Sequence, residues 1–318
     1  MRLSKKAIVI IVQIILISAS AYLIVSKLTQ VDFLSQFKLA IQKFKFWHVF
    51  LILALSAINW LFDTETWRLI IRPFVKIKFW RAFKINVVAQ SAGAITPLSA
   101  GDYGLRSYLL KHEIEGWQNV LLSWSYRLIK MAVRVILGLL CVFYIMVSND
   151  LVVIGILLSV GLLILGGISI KHMISWVSNT KGASKVLDKK DRIDFGKLNL
   201  KRVIIPGILL FLAYSVQTSL LIFWMNNSVG FYDVLNWVII TYSITSFLPT
   251  TGIFDPLIKS AFGALFSAQL VASPAVILFA FTITWLINLG IPGLVSSVLF
   301  RKIIAKAYRT SRSTINPS

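Results

Sequence analysis

A single cysteine, Cys141, occurs in the 318 residues, and it lies inside an apolar run. Neither a disulfide framework nor a cysteine-based metal site can be built from it. The three histidines, His48, His112 and His172, sit near the ends of apolar runs without metal-ligand spacing. A P-loop, a Gly-rich dinucleotide fingerprint, an H-E-x-x-H pair and a G-x-S-x-G elbow are all missing. Those absences remove the common routes to nucleotide, metalloprotease and serine-hydrolase chemistry, and an ATP-driven process would need a partner chain. No cofactor is expected. Acidic residues are also scarce, with 12 Asp and Glu against 33 Lys and Arg, a net charge of +21.

What fills the sequence instead is apolar. Hydrophobic residues make up 57% of the chain, well above an ordinary globular domain. Ala7–Ser26, Leu151–Ile170 and Val203–Met225 carry no charge, and neither does the whole of Ser260–Phe300. Each of the first three matches the ~20 residues that cross ~30 Å of hydrocarbon. The first is too long, and lacks a small-residue cleavage site, to be read as a removed signal peptide. The basic residues cluster just outside such runs: Arg2, Lys5 and Lys6; Arg72 to Lys84; Lys171 to Arg202; Arg301 to Arg312. This is the positive-inside pattern of a multi-pass membrane protein rather than a nucleic-acid-binding surface, so no nucleic acid is expected as a partner.

Followed along the chain, that pattern puts both termini in the cytoplasm. Ala7–Ser26 runs outward, and residues 27–46 read as an amphipathic helix on the outer interface. A second span, from about Trp47 to Ile71, returns. Residues 85–101 are then uncharged but interrupted by Pro97 and Gly101, so the run breaks before it finishes crossing. A re-entrant hairpin fits better than a span. Trp117–Val147 runs outward and Leu151–Ile170 inward, to a cytoplasmic loop over 171–202. Val203–Met225 goes out again. Val234–Phe254 repeats the broken pattern, with Pro249 and Gly252 in SFLPTTGIFDPLIKSAF. Ala275–Phe300 is the last span, followed by a basic tail over 301–318. The expected architecture is one all-α polytopic membrane domain of six spans and two re-entrant hairpins. Its two repeats, 1–147 and 151–300, each hold an odd number of crossings, so one is inverted relative to the other. Paired broken segments in inverted halves point to a transport site at the midplane.

The wording of the chain adds to this. TWRLIIRP ends the second span, ITPLSAGDYGLRSYLL forms the first hairpin, an Arg-bearing span follows, and SFLPTTG stands in the second half. Here the chain resembles the flippase-like family that shares its membrane domain with lysylphosphatidylglycerol synthase, the multiple-peptide-resistance-factor proteins. The resemblance covers nearly the whole chain. Its first-hairpin pattern of proline, Gly–acid and Arg falls on Pro97, Gly101, Asp102 and Arg106. In the second hairpin Pro249 and Gly252 match, but Asp255 precedes a second proline, Pro256, and the Gly-rich character is thin. The resemblance implies a protein of the prokaryotic inner membrane that moves amphiphilic lipids between leaflets. The chain ends 18 residues after its last span, so the synthase reaction is not expected.

Two acid–base pairs recur at the same spacing, Asp102 with Arg106 and Asp255 with Lys259, each on one helical face. The third span carries Arg127, Lys130 and Arg134 on one face. Thirteen apolar residues follow Arg134, about 20 Å of helix, so this cation sits inside the hydrocarbon layer. A charge there costs at least ~2.5 kcal/mol and is expected to face an interior cavity, with snorkelling to the cytoplasmic interface as the alternative for both Arg127 and Arg134. Asp63, Glu65 and Arg68, near the inner end of the second span, either pair with this basic lane or titrate during transport. Trp47, Trp117, Trp124 and Trp237 read as interfacial anchors, and Gly101 and Gly252 as turn residues.

The leading expectation is a translocase that binds an anionic, phosphate-bearing amphiphile, a membrane phospholipid or another lipid phosphate, between the hairpins. An ion-coupled transporter of a small solute is the second reading. An integral membrane enzyme acting on lipid-linked substrates is the third, and no catalytic constellation supports it. A second copy of the chain or a separate lipid-modifying enzyme remains open as a partner.

Overall fold

The computed structural model describes residues 5–29, 35, 38, 41–96, 99–149, 198–226, 230–248, 252–265 and 272–296. All regular structure among them is helical. In chain order the helices are α1 (Lys5–Thr29), α2 (Phe46–Ile71), α3 (Phe79–Ala94), α4 (Ala100–Leu109) and α5 (Gly116–Asn149). They continue with α6 (Leu200–Asn226), α7 (Phe231–Thr245), α8 (Asp255–Leu265) and α9 (Pro274–Trp285). A 3₁₀ turn, Gly252–Phe254, leads into α8. A π-helical turn, Leu286–Gly290, extends α9.

Four of these helices are long and apolar enough to cross a membrane: α2, α5 over Gln118–Val147, α6, and α9 with its extension over Pro274–Ser296. The chain is a membrane-embedded protein whose regular structure, among the described residues, is all helical. Within α1 the apolar segment is shorter, Ile17–Ser26. The expected span Leu151–Ile170, nearly all of the loop over 171–202, the tail over 301–318 and much of the interfacial helix over 27–46 lie outside the described residues.

Both runs expected to break do so. α3 and α7, of 16 and 15 residues, are too short for the ~20 residues of a full crossing. Each is followed closely by a helix of ten or eleven residues. Pro97 and Pro249 lie in the connections, outside the described residues. The turn glycines work differently from expectation. No described glycine has a positive φ, and the left-handed residue of the first connection is Ser99, at φ 58°. Gly101 is needed for contact: a Cβ there would lie 2.5 Å from the Ala92 carbonyl oxygen, across the α3–α4 packing. Gly252 meets the first hairpin itself, its would-be Cβ 2.9 Å from Ala94 Cα. Only a residue without a side chain lets the two backbones approach this closely.

α2 and α6 form the central pair. The short helices pack on either side: α3 against α2 and α4, and α7 against α6 and α8. α4 also packs on α5, and α8 on α9. Exchanging α2 with α6, α3 with α7, α4 with α8 and α5 with α9 leaves this set of neighbours unchanged. The exchange extends to crossed contacts, since α7 packs on α5 as α3 packs on the extension of α9. One apolar core gathers around Leu221, Ile240 and Phe281, another around Trp67, Ile70 and Leu122. Trp237, expected at the interface, is buried in the first of these cores, because its helix is covered by α5 and α6. Trp47 is exposed, as an anchor should be.

Polar side chains join the spans as well. Gln217 on α6 donates to Ser56 Oγ at 2.7 Å and to the Ile52 carbonyl at 3.2 Å on α2. Asn59 Nδ2 donates to the Leu210 carbonyl at 3.2 Å. From the π turn, Asn288 Nδ2 donates to Gln217 Oε1 at 2.6 Å. In hydrocarbon, where apolar contact gives no preference for protein over lipid, such bonds hold helices together at roughly 0.6 kcal/mol each.

Candidate functional site

The two short-helix pairs and the basic face of α5 enclose one cavity of about 280 Å³. Of the seven residues in the two acid–base pairs and the α5 basic face, six line it: Asp102, Arg127, Lys130, Arg134, Asp255 and Lys259. Gly252, Ser99, Asp63 and Asn288 line it too. Residues from α2, α5, α6, α8 and the α9 extension, more than 200 positions apart in sequence, thus share one wall.

Arg106 is the exception. Its side chain is fully buried behind Asp102 rather than facing the cavity. Nε donates to Asp102 Oδ1 at 2.7 Å and one terminal nitrogen to Asn86 Oδ1 at 2.7 Å. The guanidinium lies over the rings of Trp67, at 4.4 Å, and Tyr126, at 5.2 Å. Its geometry is that of a cation that fixes a carboxylate. The second pair repeats the scheme: Lys259 bonds Asp255 and sits over Tyr242, at 4.9 Å, and Tyr214, at 5.4 Å. In both pairs the acid occupies the first turn of its helix and the base lies one turn on. A carboxylate in the first turn satisfies the positive helix end. A half-helix end of this kind, which favours an anion, therefore carries one of its own in each hairpin.

Asp63 is the hub of the basic wall. It accepts from Lys130 Nζ at 2.8 Å and Asn86 Nδ2 at 2.9 Å, and also from Gln90 and the Tyr126 hydroxyl. Asn86 bridges Asp63 to Arg106, so the first hairpin, α2 and α5 share one hydrogen-bond network. Glu65 takes no part: it forms a pair with Arg68, at 2.7 Å, on its own helix.

That leaves two arginines. Arg127 donates to the Tyr103 hydroxyl at 3.1 Å. Arg134, half-buried, lies 5.9 Å from the Phe211 ring and has no carboxylate partner among the described residues. Among the described residues, three acids and five bases stand in and immediately behind the cavity wall. The sequence reading found the basic face and both pairs. It did not find the partners supplied by Asn86, Gln90 and Tyr126, which are ordinary polar residues until the fold aims them at Asp63.

In comparisons with known protein families, curated proteins and solved structures, nothing matches this chain.

Proposed function

We propose that the chain is a membrane translocase for an anionic, phosphate-bearing amphiphile, with the phosphate held on the α5 face by Arg127 and Arg134. The observation that carries the reading is Arg134, which lines the cavity with no carboxylate partner among the described residues, at a place where two broken helix pairs meet. At about 280 Å³ the cavity falls just below the ~300–1,000 Å³ of drug-sized ligand sites. It suits a head group, with the acyl chains left outside in lipid. Arginine suits phosphate through paired, charge-assisted hydrogen bonds. The exchangeable packing of α2–α5 with α6–α9 supports an inverted repeat, and with it alternating access by rocking of one half against the other around a fixed site. In this scheme six spans and two re-entrant hairpins lie in a prokaryotic inner membrane with both termini cytoplasmic.

The test is a leaflet-resolved assay in proteoliposomes of the full chain. Fluorescent lipid phosphate in the outer leaflet should become protected from membrane-impermeant quencher faster than in protein-free vesicles. A rate equal to that of empty vesicles rejects the reading. One observation favours a second: Asp255 is partly open to the cavity, which suits a coupling ion for solute transport. That reading requires uptake of a water-soluble anion driven by an ion gradient, with no lipid movement.

A further inference from the structure

A second, smaller chamber lies beside the main cavity, on the far side of Asp63. It holds about 10 Å³, the room of one water-sized sphere. Trp60, Asp63, Asn86, Gln90, Ser91 and Asn288 form its polar wall. Asn288 stands in the π-helical turn Leu286–Gly290, a rare geometry that recurs at functional sites. Its backbone carbonyl accepts from the Trp60 indole at 3.2 Å. Its amide nitrogen donates twice, to Gln217 Oε1 at 2.6 Å and to the Thr284 carbonyl at 2.8 Å. These bonds fix which way the amide faces, because a flip would set oxygen against oxygen. Oδ1 is left as a buried acceptor that meets no donor among the described residues. The residue is 9% exposed, and an acceptor so placed is costly to leave unbonded.

The donors bordering the chamber are turned elsewhere. Asn86 Nδ2 donates to Asp63 Oδ2 at 2.9 Å and to Thr64 Oγ1 at 3.4 Å, and Gln90 Nε2 also donates to Asp63 Oδ2. The Ser91 hydroxyl donates to the Val87 carbonyl at 2.7 Å. A water in the chamber would give its protons to the remaining oxygens but find few donors for its own lone pairs. A cation has no such need. We propose that the chamber binds one dehydrated monovalent cation, sodium or potassium, through Asn288 Oδ1, Asp63 Oδ2, Gln90 Oε1 and Ser91 Oγ. Calcium would need roughly six to eight oxygens and magnesium several retained waters, for which there is no room. Asp63 joins the two spaces: Oδ2 meets the ion, and Oδ1 accepts from Lys130 of the main cavity wall at 2.8 Å. The ion is thus one carboxylate away from the head-group site, where a coupling ion belongs. The site itself does not depend on what the main cavity carries.

The test uses the full-length protein purified in detergent in choline chloride, with neither sodium nor potassium. Exchanging choline for sodium or potassium at constant ionic strength should raise the thermal midpoint saturably with at least one of them, because an ion that binds only the folded chain stabilises it. Equilibrium binding of the same ion, isotope-labelled, should approach one per chain. Asn288→Ala should weaken that affinity about tenfold or more, the scale of one charge-assisted contact. Ser91→Ala should weaken it several-fold while leaving the midpoint in choline unchanged. Equal midpoints in the three salts, with no ion retained, overturn the proposal. An ion response unchanged in both variants puts the ion elsewhere, at Asp255 for instance, and overturns the assignment to this chamber. Asn288→Ala also removes two hydrogen bonds; if it does not fold, Ser91→Ala decides alone, and an affinity equal to that of the wild type overturns the site. None of these outcomes touches the lipid reading, which the leaflet-resolved assay decides separately.

Discussion

Replacing Asp63 with Asn tests whether the basic wall of the cavity is held by one buried carboxylate. The change keeps the size of the side chain and opens no hole, so its cost is electrostatic. Asp63 is almost fully buried, and Lys130, at 2.8 Å, keeps only about a fifth of its side chain exposed. Removing one partner of a buried pair costs about 3–5 kcal/mol, because the other charge is stranded. Two features place this case near 3 kcal/mol. Lys130 keeps the Tyr126 hydroxyl at 2.9 Å, and Asn86 keeps Arg106. Against that, an amide now turns its own N–H groups toward donors from Asn86 or Gln90. Reversible unfolding in mixed micelles should register the loss. Asp63→Leu combined with Lys130→Met should recover most of it, since a buried pair replaced by apolar side chains is often neutral or better. The same single change frees Lys130, so anion affinity should rise as stability falls. A loss below about 1 kcal/mol, or a double variant no more stable than the single, would refute the claim that Asp63 organises this wall.

Other expectations follow from the same geometry. Arg134→Leu should abolish lipid movement without lowering the thermal midpoint, because a half-buried charge with no carboxylate partner among the described residues is removed; normal transport by this variant would return Arg134 to a snorkelling role. Gly101→Ala should destabilise by about 1–3 kcal/mol, the range for overpacking, as its Cβ would meet the Ala92 backbone at 2.5 Å, and thermal unfolding measures it. Ser99→Gly should stabilise by about 1 kcal/mol by relieving the left-handed backbone at φ 58°, visible in the same unfolding assay. Gly252→Ala should likewise destabilise by about 1–3 kcal/mol, since a Cβ there would lie 2.9 Å from Ala94 Cα and force the hairpins apart; an unchanged thermal midpoint would mean the hairpins do not touch there.

Features set by spacing along one helix were legible in the sequence. Asp102 with Arg106, Asp255 with Lys259, and Arg127 with Lys130 and Arg134 lie within a turn or two of one another, and helical periodicity alone aligns them. The breaks in α3–α4 and α7–α8 were legible for a similar reason, since Pro97 and Pro249 interrupt runs otherwise fit to continue. Features set by approach between helices were not. Asp63 was placed near the inner end of its span, but nothing local shows that Asn86, Gln90, Tyr126 and Lys130 will converge on it. Trp237 looked like an anchor because its position relative to its neighbours, buried in the core, is a tertiary fact. Gly101 and Gly252 were read as turn formers; their need for a missing Cβ arises from a partner helix and a partner hairpin.

The arrangement of the two pairs bears on how an anion site is made in a membrane. A broken helix exposes backbone N–H groups, and its positive end is a ready anion site when left open. Here the first turn of each such helix carries an acid of its own, Asp102 or Asp255, and each acid is steadied by a base set over two aromatic rings. On the proposed reading the ligand would then be met by the α5 face, where Arg134 has no carboxylate partner among the described residues, rather than by either hairpin tip. The hairpin tips, touching at Gly252 and Ala94, would be free to part or close without surrendering the ligand's charge partner.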